Sequence, residues 1–367
     1  MPKPMTSKER MLAALNREKP DRLPATVHQW QAYHLNHYLG GITPLEAFRK
    51  FGLDAAISVF DGLFPPSTPQ WHIEEKEIGR KNGNRLVKQT ITTPEKVLTQ
   101  VEEVNEQTSW YVEYLIKDPE DIFILKKYMP VPKLNQDLVR KEYKELGQDG
   151  ILRGFVTGYQ GGPWQNACGI AGTERMIYAT FDDPGWVHEF LRILTDKKLQ
   201  YIEESLKGAP FDLIETGGGA ASSTVISPKL FKEFCLPYDR EIHDALHAIE
   251  HKVVYHTCGG MMAILELIVA NGCDASETLA PKDVGGDAVP EEIKARIGDK
   301  VALIGGVDQF NILTDGTPEM IRQHVHDLFA KLGPGGGYIM CPSDHFFDTL
   351  PEKLHVYAEA ARECVYE

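Results

Sequence analysis

The 367-residue chain reads as an α/β protein, a (β/α)8 barrel forming one domain over residues 1–367. Two observations predict this. Eight short apolar runs alternate with amphipathic helical stretches. The residues able to do chemistry gather at the C-terminal ends of those runs, where barrels of this kind carry their active sites. One stretch breaks the alternation and reads as a β-hairpin insertion near the N-terminus, at about 72–116. An open doubly wound sheet has the same alternation, so strand count alone does not require closure.

The elements follow in order. Thr6-Ser7 before KERMLAALNRE marks a capped amphipathic helix. RLPATVHQ is a first strand, TPLEAFRKFG a helix stopped by Gly52, and DAAISVFDG a second strand. WHIEEKEIG, NRLVKQTITTP, KVLTQVEEV and TSWYVEYLI then alternate polar and apolar residues around turn signals such as Asn82-Gly83, as antiparallel hairpins do. From residue 150, GILRGFVTG, FDLIETGGG, KVVYHTCGG, DASETLA, KVALIGGVD and GGYIMCPS supply six more strands. Long amphipathic segments fill the gaps, among them the one beginning DPGWVHEFLRILTD.

With 42% hydrophobic and 25% charged residues, the composition is that of a globular protein, and the net charge of −14 argues against a nucleic-acid or anionic-membrane partner. Neither the N-terminal stretch nor any other segment is apolar enough to read as a signal peptide or a membrane span. Six cysteines without paired spacing do not form a disulfide framework, which predicts reduced thiols and a cytoplasmic location.

Two of the strand ends carry three soft or borderline metal ligands. His256 and Cys258 are two apart in KVVYHTCGG and share a face, and Cys341 ends the run in GGYIMCPS. His-Cys-Cys is the donor set of a catalytic zinc site that keeps one position open. Buried thiols and a core histidine are the plainer reading of the same residues. Glu215, ending the fourth strand before three glycines, is a candidate fourth ligand and catalytic carboxylate, or else a carboxylate that binds loop amides. Asp61, ending the second strand, is a rim acid or a helix cap.

The other strand ends supply candidate substrate contacts: His28, Tyr159 and Asp308, with Gln29 and Gln160 beside them. Trp30, Tyr33, Trp164, Phe346 and Phe347 cluster near strand ends, and together they suggest an apolar pocket for a flat or aromatic substrate. Each alone is as readily core. His345 and Asp344 adjoin Cys341 as candidates for acid, base or ligand support. Cys168, Cys235, Cys273 and Cys364 read as structural thiols. The glycine runs TGGG and GPGGG lack the dinucleotide fingerprint.

EKPDRLP, LFKEFCLPYDREI, VALIGGVDQFNIL and FFDTLPEKLHVYAEAA together resemble the uroporphyrinogen decarboxylase superfamily, over nearly the whole chain and most weakly through the hairpins. Decarboxylases of that superfamily carry Arg-Gln-Ala-Gly-Arg after strand one to hold substrate carboxylates. His28-Gln29-Trp30-Gln31-Ala32 stands there instead, with both arginines gone. Their last-loop histidine corresponds to Ser343, while their second-strand aspartate corresponds to Asp61. The zinc-dependent corrinoid methyltransferases of the same superfamily, such as the methylcobalamin:coenzyme M enzymes, have His-x-Cys after strand five and Cys in the last strand. The resemblance carries their zinc-ligand roles onto His256, Cys258 and Cys341.

The resemblance implies methyl transfer between a small substrate and the cobalt of a corrinoid. No Asp-x-His-x-x-Gly signature is present, so the corrinoid is expected on a partner protein. The aromatic strand ends favour an aryl methyl ether as donor. A thiol acceptor of the coenzyme M type and a metal-free decarboxylase are the alternatives.

Overall fold

The computed structural model describes residues 4–367 except Tyr159. The described residues form eleven strands: β1 (Ala55–Ser58), β2 (His72–Lys81), β3 (Asn84–Thr92), β4 (Val97–Val104), β5 (Ser109–Glu113), β6 (Gly150–Phe155), β7 (Leu213–Gly217), β8 (Val253–His256), β9 (Ala275–Thr278), β10 (Ala302–Val307) and β11 (Tyr338–Pro342). Seven of them make one parallel sheet in the order β1-β6-β7-β8-β9-β10-β11, curled and TIM-barrel-like. Within this sheet each strand pairs with the next one along the chain, the order of a barrel rather than of a doubly wound sheet. Strands β2 to β5 form a separate four-stranded antiparallel sheet in the region read as hairpins.

The expected first strand is a correction. RLPATVHQ makes only an isolated bridge, Ala25 to Met340, and no continuous ladder. Pro24 has no N–H to donate, which limits its pairing. The same short segment nonetheless touches both edges of the sheet. Met340 N donates to Pro24 O and Thr26 N to Met340 O, each at 2.9 Å, on the β11 side. Asp54 N donates to Ala25 O at 2.9 Å on the β1 side.

Local chemistry explains the helices. Ser7–Leu15 begins with a Thr6–Glu9 capping box, and Pro44–Phe51 with a Thr43–Glu46 box. The second of these ends at Gly52 in the left-handed region, φ 66°, which glycine adopts without strain. A Cβ there would also lie 2.9 Å from the Arg362 guanidinium. At Gly150 the constraint is packing, since a Cβ would sit 1.9 Å from Ala55 O on the paired strand.

Inside the curl, Ala56, Ile151, Leu213, Val254, Ala275, Ala302 and Ile339 pack as a buried apolar floor, and Met11, Ala14 and Leu15 of the first helix cover it. That helix is tied down by Asp54, which is fully buried and accepts from Arg10 Nη1 at 2.5 Å, Arg22 Nη1 at 3.2 Å and Ala25 N at 3.1 Å. One carboxylate thus joins the helix, the 22–25 segment and the start of β1. Asp54→Ala leaves two guanidinium groups without their shared partner. It is expected to cost about 3 to 5 kcal/mol in urea unfolding, and a loss under 1 kcal/mol would show that the node does not hold this end of the sheet.

Candidate metal centre and its charged layer

Alternation along the strands builds the site. Directly above the apolar floor, on the same inward face, stand Arg153 over Ile151, Glu215 over Leu213, His256 over Val254, Glu277 over Ala275 and Cys341 over Ile339. All five are buried.

Arg153 holds the layer together. Its Nη2 donates to Glu215 Oε2 and to Glu277 Oε1, both at 2.8 Å. Glu277 Oε1 also lies 3.0 Å from His256 Nδ1, and Glu215 Oε1 lies 3.8 Å from the same nitrogen. On the far side of the ring, His256 Nε2 is 2.5 Å from Cys258 Sγ. Gln160 Nε2 approaches that sulfur at 3.9 Å. Above the layer, the His28 ring stands 5.0 Å from that of His256 and 5.3 Å from that of His345, and His28 Nδ1 is 3.8 Å from Glu277 Oε1.

The electrostatics follow from burial and proximity. Burial raises the Glu277 carboxyl, but the charge of Arg153, with His28 and His256, wins and holds it below the usual carboxylate range. Glu215 goes the other way. Burial, then the charge of Glu277, push it up to about 7 despite His256 and Arg153. His28 is pushed down to about 3, first by burial and then by the positive charges of His256 and Arg153, against the pull of Glu277. For His256, burial is outweighed by Cys258, Glu277 and Glu215, which hold its proton well above pH 6.5. Burial raises both Cys258 and Cys341, with Glu277 next in effect on Cys341.

These donors fit a metal ion. Glu277 occupies His256 Nδ1, which leaves Nε2 directed at a thiol, and carboxylate-supported imidazole is the usual partner of a ligated ion. A soft cation in place of the shared Nε2 proton satisfies imidazole and thiolate together. Glu277 Oε2 is buried without a hydrogen-bond partner among the described residues. On the Nδ1 side, one donor atom each of His28, Glu215, His256 and Glu277 lie within 4.8 Å of one another. Neither cysteine belongs to that set. Cys341 is in the same layer, within the electrostatic reach of Glu277, Arg153 and Asp344.

Into the layer opens a small cleft lined by Glu215 and His256 of the layer itself and by His28, Gln29, Gln160, Asp344 and His345, with Phe60 and Phe155 as apolar wall. These two rings stack at 5.0 Å, and Phe60 is 40% exposed.

Other expected site residues lie elsewhere. Trp30 and Phe346 are core, packed edge-on to each other at 5.8 Å beside Phe48, Phe51 and His34. Trp164 is buried against Phe234 and donates to Ala220 O at 2.9 Å. Tyr33 stacks on His37 and donates to Asp348 at 3.3 Å. Asp308 is a cap, accepting from Phe310 N at 3.0 Å and Asn311 N at 2.7 Å. Asp61 accepts from Asn135 N at 2.5 Å and so anchors a loop. Tyr159 lies outside the described residues. Arg153, Glu277, Phe60 and Phe155 were not anticipated. A lone arginine in the apolar run GILRGFV and a glutamate two residues after Ala275 were the available signals.

A curled parallel sheet holding a buried layer of acid, base and thiol groups beside a cleft defines an enzyme with a TIM-barrel-like fold. The chain belongs to the uroporphyrinogen decarboxylase family, whose model, described as "Uroporphyrinogen decarboxylase (URO-D)", matches residues 86–364. It is 30% identical over 259 residues to the uroporphyrinogen decarboxylase of Pseudoalteromonas translucida, covering 64% of this chain and 67% of that one. With the Hydrogenovibrio crunogenus enzyme it shares 30% identity over 196 residues, half of this chain and 51% of the relative. The chain thus spans between half and two thirds of the length of these relatives. Its fold is shared with a methyltransferase from Methanosarcina mazei, at TM-score 0.68 and 18% identity over 98% of both chains.

Arg153 and Glu277 should be strongly coupled. Arg153→Met and Glu277→Gln each leave a buried partner uncompensated, and the double variant removes both. In denaturant unfolding the double loss should fall short of the summed single losses by at least about 1 kcal/mol. Simple additivity would contradict the pairing.

Proposed function

We propose that this protein is a zinc-dependent methyltransferase. It moves a methyl group from a small methyl ether, an aryl ether being favoured, to the cobalt of a corrinoid borne by a partner protein. The observation that carries the reading is the 2.5 Å approach of His256 Nε2 to Cys258 Sγ, with Glu277 on Nδ1. His256, Cys258 and Cys341 would hold the zinc. Glu215, on the adjacent strand and bonded by Arg153, is the candidate fourth carboxylate, and it stands on the Nδ1 side of the His256 ring, 3.8 Å from that nitrogen. Bound zinc supplies Lewis acidity that eases departure of the ether oxygen from its methyl group.

The protein's own groups do the rest. Glu277 keeps His256 in the tautomer that offers Nε2. Arg153 bonds both carboxylates, which offsets the cost of burying them. Phe60 and Phe155 give a flat apolar wall on which an aromatic ring can lie, a role that Trp30, Trp164 and Phe346 do not take because they are core. His28 and His345 flank the cleft as proton-transfer candidates. Closure of the sheet into an eight-staved barrel, supported by the bonds of residues 24–26 to both edges, would leave one open rim for the corrinoid protein. Six free cysteines fit a reducing cytoplasm, and among the described residues no helix is long and apolar enough to cross a membrane.

The names of the curated relatives favour a second reading, decarboxylation of a tetrapyrrole. Against it stand the residues His28 to Ala32, which replace the expected arginine pair. A thiol acceptor would use the same zinc to form a thiolate.

Incubation of zinc-loaded protein with a reduced corrinoid protein and a panel of aryl methyl ethers should yield the methyl-cobalt spectrum. Cys258→Ala should lose most of the zinc and at least about 100-fold in rate while the fold persists. Full zinc occupancy and full rate in that variant, or release of carbon dioxide from uroporphyrinogen by the wild type, would contradict the reading.

A further inference from the structure

A buried cation outside the charged layer has no part in the chemistry described so far. Lys198, on the helix Pro184–Tyr201, is buried, and its Nζ donates to Thr157 O and, at 2.5 Å, to Asn166 Oδ1. Both acceptors are neutral. Burying an ammonium costs stability, and an apolar side chain would pack this helix without that cost. What the two bonds do is fix the chain just beyond β6. There the Thr157 hydroxyl and Gly158 N also donate to Leu63 O, each at 2.8 Å.

The turn that follows carries one side chain to the metal centre. Gln160 sits in the left-handed region at φ 58°, which a residue with a Cβ enters only under strain. Gly162 N donates to Gly217 O at 3.0 Å and closes the turn onto the end of β7. In this conformation the Gln160 amide lines the cleft, and its Nε2 is 3.9 Å from Cys258 Sγ, within hydrogen-bond reach of a sulfur acceptor. A thiolate bound to a metal keeps lone pairs and negative charge. An N–H donor directed at it fixes its orientation, favours thiolate over thiol and draws charge from the sulfur. A neutral amide does so without setting a second cation beside the metal.

We propose that Gln160 donates a hydrogen bond to the Cys258 thiolate of the metal-bound protein, and that Lys198 is the positioning residue that fixes the turn carrying it. The inference rests on the metal reading and extends it from the ligands to the groups that hold them.

The test uses the full chain loaded with Zn2+ or Co2+ alone. Zinc affinity at neutral pH is read by competition with a chelator, and the sulfur-to-cobalt charge-transfer band is read by absorption. Gln160→Asn tolerates the left-handed backbone but is too short to reach the sulfur. Gln160→Leu keeps the size without the donor. Each should weaken zinc binding by about tenfold or more and move the band to lower energy. Lys198→Met should do the same in a chain whose circular dichroism matches the wild type. If that variant does not fold, Asn166→Ala, which removes one of the two bonds to Lys198, should move the band in the same direction by less. Unchanged affinity and band in both Gln160 variants would overturn the sulfur bond, and shifts confined to those two would overturn the role of Lys198. A wild type with no charge-transfer band would overturn the metal reading, and this inference with it.

Discussion

A single guanidinium, Arg153, is the constraint on which the interior depends. Each carboxylate taken out of water costs several kcal/mol unless a partner and hydrogen bonds compensate. Glu215 and Glu277 are both buried inside the sheet, and one Arg153 nitrogen bonds both at 2.8 Å. The consequences run outward. Glu277, kept ionised by that contact, holds His256 Nδ1. With Nδ1 engaged, the other ring nitrogen is turned to Cys258. Glu215, pushed up by burial and then by the charge of Glu277, is the carboxyl of this layer whose protonation lies near neutrality.

This layer stands on an apolar floor because the strand repeat is two residues. Ile151, Leu213, Val254, Ala275 and Ile339 face inward at one level, and Arg153, Glu215, His256, Glu277 and Cys341 face inward at the next. The floor is backed by the first helix, which Asp54 secures through Arg10. Stability and chemistry are therefore separated along the strand axis, with the reactive groups displaced toward the ends where the cleft opens.

Much of this was legible in the sequence. The seven paired strands of the parallel sheet coincide with apolar runs bounded by glycine or capping residues, and the hairpin texture at 72–116 folds as its own antiparallel sheet. The first strand was not legible as a bridge, because β propensity in RLPATVHQ says nothing about the donor missing at Pro24. Among the candidate site residues, His28, Glu215 and His256 stood out because each ends an apolar run, with Cys258 two residues beyond and His345 close after Cys341. Arg153 and Glu277 escaped because each looks like a charge inside a strand, and only their mutual contact makes burial tolerable. The aromatic residues misled for a related reason. Trp30, Trp164 and Phe346 lie near strand ends in sequence, yet packing turns their rings into the core, while Phe60 and Phe155 reach the cleft.

The central claim is the zinc ion proposed at His256 and Cys258. Zinc K-edge X-ray absorption on the purified protein reads its ligands directly. One zinc per chain is predicted, with nitrogen or oxygen scatterers at about 2.0 Å and two sulfur scatterers at about 2.3 Å. Protein purified with zinc available but holding none, or zinc bound only by nitrogen and oxygen, would contradict it.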